Sequence, residues 1–282
     1  MNDTILEDIL DAMKADKGNN SIQRVQSAHR IKLAEFWGVA KGDRILEIGC
    51  GQGDTTAVLA YMAGEEGLVQ GIDIASPDYG SPLTLGESAA ILTQSRLGKQ
   101  IRIDFEMDVL SPGVDFPEQH FDKIVLSHCS WYLKSFEELS GILQKVKRWG
   151  KTLCFAEWDA RIQRIEQFPH FLAISIQAKY ESYKVNSHSN LRSLFTPADI
   201  KALAEQAGWS VVHEASLNSS GLQDGGWEID MTLSGYKQEL DELPYIPSRL
   251  KMHIESEARL LQTYVHSEAR IESLSTFAFT AN

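Results

Sequence analysis

Short apolar runs alternate with helix-like segments from Asp43 onward, and that alternation predicts an α/β fold built on a parallel sheet. Two local patterns sharpen the expectation. Ile45-Leu46-Glu47-Ile48-Gly49-Cys50-Gly51-Gln52-Gly53-Asp54 reads as a buried strand that runs into three alternate glycines. Leu68-Val69-Gln70-Gly71-Ile72-Asp73-Ile74 then follows at the spacing of a strand-helix-strand unit, with Asp73 at its end.

Taken in order, the chain opens with two helices, the second capped by Ser21, carrying Ile22, Val25, Ile31, Leu33 and Trp37, and stopped by Gly38. Strands are expected near 44–48, 68–73, 101–107, 121–127 and 152–157, and helices near 54–63, 84–97 and 135–148. The last of these helices is marked by a Ser135 and Glu138 capping box and by Leu139, Ile142, Leu143 and Val146 at helical spacing. After Glu157 a segment rich in Gln, Tyr, Ser and Phe breaks the pattern, so residues 159–195 read as a helical lid inserted over the site. Thr196-Pro197-Ala198-Asp199 opens a further helix that ends at Gly208, and a strand follows near 210–215. A second insertion occupies about 219–270, with a long helix around 247–267, before a last strand at Ser273 to Thr280. The resulting plan is one domain: a helical cap over 1–40, a core over 43–158, the lid, and a C-terminal part of the sheet over 196–282.

The glycines free the first turn of side chains, so main chain can approach a ligand closely, and the following helix offers unpaired N–H groups. An acidic residue roughly twenty positions on suits ribose hydroxyls. The dinucleotide fingerprint G-x-G-x-x-G fails, because Gly49 and Gly51 fit but Asp54 stands third, a carboxylate poorly placed beside a pyrophosphate. NAD and FAD are therefore disfavoured, and a nucleoside without phosphate fits.

On these residues the sequence resembles the class I S-adenosylmethionine-dependent methyltransferases, whose first motif, acidic-x-Gly-x-Gly-x-Gly, is matched by Glu47, Gly49, Gly51 and Gly53. Their second acidic position falls on Asp73, their third on Asp108, and their fourth strand on Phe121 to Ser127. More loosely, Gln23 to Arg30 and Asp73 to Gly86 look like a bacterial subgroup labelled cyclopropane-fatty-acid-synthase-like. The resemblance implies a Rossmann-like seven-stranded sheet, parallel except for an antiparallel C-terminal strand, with S-adenosyl-L-methionine as cofactor. It implies that Glu47 faces the methionine ammonium, that Gly49, Gly51 and Gly53 line the turn, and that Asp73 accepts from both ribose hydroxyls. Ile74 would lie against the adenine, Asp108 and Val109 would meet its edge, and Ser127 would close the cofactor side. The N-terminal helices would lie over the cleft, within reach of Gln23, Arg24, His29 and Arg30, which read from sequence alone as a solvated helix face.

A methyl on a sulfonium is already activated, so transfer is an in-line displacement governed by positioning, and a base is needed only where the acceptor must lose a proton. His128, after the fourth strand, is the candidate base, and Glu157, at the end of the fifth, is the candidate that orients an acceptor. Trp131, Tyr132, Trp158 and Trp227 are the candidate aromatic wall. His170 and His188 are far apart, and Pro169 separates Glu166 from His170, so no metal is expected. Cys129 has no evident reason for a lowered pKa.

Composition bounds the rest. A hydrophobic content of 43% is that of a globular protein, no apolar run is long enough to span a bilayer, and the start lacks a signal peptide's pattern, so a cytoplasmic protein without stable membrane insertion is expected. Three scattered cysteines, Cys50, Cys129 and Cys154, suit reducing surroundings. A net charge of −12 disfavours nucleic acid, and the run Lys145-Val146-Lys147-Arg148 suits the last turn of a helix, so a small-molecule substrate is expected. A homodimer is left open. Two rival readings also stand: a cyclopropane-forming or C-methylating enzyme on an alkene lipid, and a non-methylating S-adenosylmethionine-binding protein.

Overall fold

The computed structural model describes residues 3–15, 18, 21–187, 189–267 and 270–282. Two helices lead, α1 (Asp3–Met13) and α2 (Ile22–Phe36), and the Ser21 hydroxyl caps the second by accepting the Arg24 N–H at 3.2 Å. Then come β1 (Arg44–Ile48), α3 (Asp54–Ala63), β2 (Leu68–Ile72), α4 (Leu85–Gln94), β3 (Ile101–Asp104), β4 (Phe121–Ser127), α5 (Phe136–Lys147) and β5 (Gly150–Trp158). The chain continues through α6 (Phe168–Glu181), α7 (Pro197–Gln206), β6 (Val211–Leu217), α8 (Asp224–Asp241), α9 (Ser248–His266) and β7 (Thr276–Ala281).

The strands form one seven-stranded sheet in the order β3-β2-β1-β4-β5-β7-β6, and only β7 runs against its neighbours. The order reverses between β1 and β4, so the C-terminal ends of these strands open a crevice. Alternation along the strands fills both faces. Leu46, Ile124, Leu126 and Phe155 pack on one side with α5 and α7, while Ile45, Val69, Val125 and Cys154 pack on the other with α1, α2 and α3. The basic cluster of α5 is held locally: Lys145 Nζ donates to the Ser111 carbonyl at 2.8 Å, Lys147 lies 4.1 Å over the Trp209 ring, and Arg148 pairs with Asp115.

Three differences from the sequence reading matter for the site. The third strand stops at Asp104, well short of 107, because Glu106 takes a left-handed φ of 55° and turns the chain; the Met107 N–H then donates to the Asp73 carbonyl at 2.9 Å. Among the described residues of the lid, a 3₁₀ turn at Ile165–Gln167 leads into α6, and residues 182–187 and 189–195 are mostly irregular. The second insertion holds two helices, α8 and α9, and these pack with α6 around a core of their own that includes Leu172, Ile176, Ile229, Ile254 and Leu261. Two insertions far apart in sequence are therefore one three-helix unit. No described helix is long and apolar enough to cross a membrane.

Candidate functional site

The glycine turn joins β1 to α3 at the crevice. Gly49, Gly51 and Gly53 all have positive φ, at 71°, 52° and 85°. Their needs differ. A Cβ on Gly49 would sit 2.8 Å from the Cys129 Cβ and one on Gly53 2.5 Å from the Leu92 Cδ1, whereas one on Gly51 would meet nothing within 4 Å. Packing demands the outer two, and the middle one leaves an open backbone face.

Asp73 closes that face from β2. Its Oδ2 accepts the Gly51 N–H at 2.8 Å and its Oδ1 the Ala75 N–H at 2.9 Å. An ionised carboxylate has about four lone-pair sites, so each oxygen keeps acceptor capacity for a ribose hydroxyl. Ile74 beside it is 63% exposed, an apolar surface of the kind an adenine ring covers. Across the turn, Arg30 Nε donates to Thr55 Oγ1 at 3.2 Å and its Nη2 lies 3.7 Å from Asp54, so α2 clamps the start of α3. Arg24 pairs instead with Glu7 of α1. The open face of Gly51 and the spare lone pairs of Asp73 together fit an adenosyl group.

Glu47 is only 2% exposed, and its Oε2 accepts the Thr56 hydroxyl at 2.5 Å. Burial, reinforced by Asp54 and Asp73 and opposed by Thr56 and Arg30, pushes its carboxyl up to about 8. Asp108 lies in the loop beyond β3, exposed, with Oδ1 accepting the Leu110 N–H at 2.8 Å, while Val109 is buried in the core. The Ser127 hydroxyl, at the end of β4, is buried and has no hydrogen-bond partner.

The acceptor side is built at the ends of β4 and β5. His128 sits just past β4 with a left-handed φ of 51°, a strained conformation for a non-glycine residue, held by its N–H donating to the Ala156 carbonyl at 2.8 Å. Its Nδ1 lies 3.5 Å from Glu157 Oε1, and neither ring nitrogen makes a hydrogen bond. Glu157 is 1% exposed and points inward. Its Oε2 accepts from Ser130 N–H at 3.0 Å, Ser130 Oγ at 2.7 Å and Trp131 N–H at 3.4 Å, and its Oε1 from Trp158 N–H at 3.0 Å. A carboxylate so enclosed spends its hydrogen bonds on the 130–131 turn and on Trp158, and leaves Oε1 3.5 Å from His128 Nδ1.

The expected aromatic wall divides. The Trp158 ring lies 4.8 Å from His128 and 5.3 Å from His170. Trp131 is buried in the main core, Tyr132 is half-exposed, and Trp227 lies exposed on α8. Around Tyr132 stand Glu228, Glu157, Tyr79 and Asp224; burial of the hydroxyl, then these groups, raise the phenol's pKa. His170 is buried, its Nδ1 accepting the Leu274 N–H at 3.0 Å, and burial pushes it down to about 3. His188 lies outside the described residues, among which no three potential ligands gather around a metal position. Burial, with Glu157 and Asp73 adding, raises the Cys129 thiol well above its ordinary range.

His29, which the resemblance brings to the cleft but which the sequence alone reads as part of a solvated helix face, is buried beside His128. It is 6% exposed, its ring centroid 5.9 Å from that of His128, and its Nε2 is 3.0 Å from Thr276 Oγ1 on β7. The available signal was helical spacing: His29 falls four residues from both Val25 and Leu33, on the apolar face of α2.

Comparison with known proteins agrees with this geometry. A profile described as a methyltransferase domain matches residues 22–214. The chain is similar to a solved cyclopropane-fatty-acyl-phospholipid synthase-like protein from Lactobacillus casei, with 34% identity, a TM-score of 0.86 and 99% of each chain covered. It is 29% identical over 214 residues to methyltransferase phomM' of Diaporthe leptostromiformis, covering 61% of this chain and 54% of that one. It is 28% identical over 152 residues to a 2-phytyl-1,4-naphtoquinone methyltransferase of Synechococcus elongatus, covering 51% and 58%. The chain thus spans just over half the length of the curated relatives it matches. With a matched profile over most of its length, this sheet order and a glycine turn facing an acidic second strand, the chain belongs to the methyltransferase-domain family, in its class I, S-adenosylmethionine-dependent form.

Proposed function

We propose that this protein binds S-adenosylmethionine at the β1–α3 turn and methylates a small molecule, with His128 as the base. The observation that carries the reading is the meeting, at one edge of the sheet, of the Gly51–Asp73 face with the His128–Glu157 pair. Asp73 holds the ribose hydroxyls, Ile74 covers the adenine, Asp108 and Val109 meet the adenine edge, and Glu47 lies behind the turn where the methionine end is bound. S-adenosylmethionine, when bound, supplies a methyl group that its sulfonium has already activated.

The chain then has two tasks: to hold the acceptor in line and to take up a proton. Glu157 Oε1 facing His128 Nδ1 favours the tautomer with hydrogen on Nδ1, which leaves Nε2 as the proton acceptor. Trp158 against the His128 ring limits its rotation and keeps water away. Acidic side chains at 157, 224 and 228 lie near Tyr132, and although burial raises the Glu228 carboxyl, they favour a neutral or cationic acceptor over a phosphorylated one.

Calorimetry with S-adenosylhomocysteine tests the cofactor, and mass spectrometry after incubation with S-adenosylmethionine and an acceptor panel tests the reaction. His128→Gln is expected to keep cofactor affinity while kcat falls by roughly 10²–10⁴. No affinity for S-adenosylhomocysteine overturns the cofactor; an unchanged kcat in His128→Gln overturns the base.

A further inference from the structure

We infer that His29 is a second hydrogen-bond acceptor at the acceptor site, and that with His128 it selects an amine: one N–H directed to each ring, the nitrogen lone pair left for the methyl carbon. The inference rests on the reading of His128 as base, and it begins with a count of protons. Ser219 Oγ donates to the Leu274 carbonyl at 2.7 Å, and Thr276 Oγ1 donates to Ser219 Oγ at 3.1 Å. A hydroxyl has one proton to give. With both spent, Thr276 Oγ1 can only accept from its other partner, His29 Nε2 at 3.0 Å, so that nitrogen carries the hydrogen. The Nδ1 of His29 is therefore a lone pair.

Burial keeps it so. Desolvation first, then His128, Arg30 and Lys32, push the His29 imidazole down to about 2, so the ring is neutral at any working pH. His128 offers a matching lone pair on Nε2, because its Nδ1 faces Glu157. The two rings, with centroids 5.9 Å apart and planes tilted by 55°, make no hydrogen bond to each other, and both nitrogens of His128 are buried without a partner. On this inference the two lone pairs face one position between the neighbouring rings, and that calls for two hydrogens on one atom. An alkene has none to give, a hydroxyl has one, and an amine has two. The acidic side chains of Asp224 and Glu228, one turn apart on α8 near Tyr132, disfavour an anionic acceptor, although burial, with Asp224 adding, raises the Glu228 carboxyl.

In the step itself the amine nitrogen forms its bond to the methyl carbon as the carbon–sulfur bond breaks, its electron pair staying on sulfur. The nitrogen, now positive, gives one hydrogen to His128 Nε2 and keeps the other on His29 Nδ1. One neutral amine and one methylsulfonium yield one N-methylamine, one thioether and one imidazolium.

The test uses the full chain and three variants, His29→Gln, His29→Ala and His128→Gln. The glutamine amide still donates to Thr276 but has no ring nitrogen in place of Nδ1, and alanine removes both donor and acceptor. Long-range ¹⁵N–¹H NMR of the wild-type histidines is expected to show His29 protonated on Nε2; hydrogen on Nδ1 overturns the assignment without any substrate. Turnover is measured with ethanolamine, benzylamine, p-cresol and vesicles of monounsaturated phosphatidylglycerol. Methylation of amines is expected, with kcat reduced roughly ten- to a hundredfold in His29→Gln and His29→Ala, and calorimetric affinity for S-adenosylhomocysteine unchanged. A His29→Gln variant as active as wild type overturns the role of Nδ1. A wild type that binds S-adenosylhomocysteine but methylates only the phenol or the lipid, or none of the panel, overturns the amine class. Loss of cofactor affinity in the wild type, or full activity in His128→Gln, locates the failure in the earlier reading instead.

Discussion

Replacing Glu47 by glutamine should change how stability depends on pH more than it changes stability itself. The carboxyl is buried, and its pKa rises from an ordinary 4.5 to about 8. Between these values the unfolded chain is ionised at Glu47 and the folded chain is protonated there, so the native state binds the extra proton and stability falls as pH rises. That loss is complete once pH passes about 8. Histidine complicates the acid side, because the depressed His29 and His170 cost stability as pH falls below their ordinary 6.5. The clean window is therefore pH 6.5 to 8. There Glu47 should contribute a slope of about 1.4 kcal/mol per pH unit, or about 2 kcal/mol across the window. Glutamine keeps an oxygen for the Thr56 hydroxyl and does not titrate. Urea unfolding followed by tryptophan fluorescence, at half-unit steps of pH, should show wild type losing about 2 kcal/mol relative to Glu47→Gln. Parallel pH profiles for the two proteins would refute a protonated Glu47, and with it the account of burial in that strand.

Asp73→Asn should weaken S-adenosylhomocysteine binding by roughly 10- to 100-fold, since the amide has one acceptor oxygen where the carboxylate already serves Gly51 and Ala75 and is proposed to hold the ribose as well; calorimetry checks it. Gly49→Ala and Gly51→Ala should separate packing from binding. The first pushes a Cβ into Cys129 and should cost about 2–4 kcal/mol, whereas the second meets no atom within 4 Å and should cost only the left-handed strain of about 1 kcal/mol, readable as Tm shifts. Binding of S-adenosylhomocysteine should nonetheless fall in Gly51→Ala, because its methyl group occupies the open backbone face. Trp158→Ala removes a buried indole that touches His128 and His170, and should lower stability by about 3–5 kcal/mol in urea titrations.

Much of this architecture is local and could be read without coordinates. The turn from Gly49 to Gly53, the strand Phe121 to Ser127, the helix capped by Ser135 and the opening of α7 at Thr196 each depend on residues within a few positions of one another. Boundaries failed where a single backbone angle decided them, as at Glu106, whose left-handed φ ends β3 early and sets Asp108 on a loop. His29 reads from sequence alone as part of a solvated face because Arg30 and Lys32 lie close to it, and only its contact with Thr276, 247 positions later, shows otherwise.

Periodicity, glycines without side chains and acidic residues at strand ends were enough to determine the parallel sheet and the open first turn, because these follow from backbone geometry and short spacing, while the cofactor was implied by the family resemblance those residues carry. Which way Glu157 points, how the two insertions join into one helical unit and that His29 is buried against Thr276 were decided only by the folded chain. Those features arise from contacts between segments far apart in sequence, where the direction of a side chain depends on partners that no local pattern specifies.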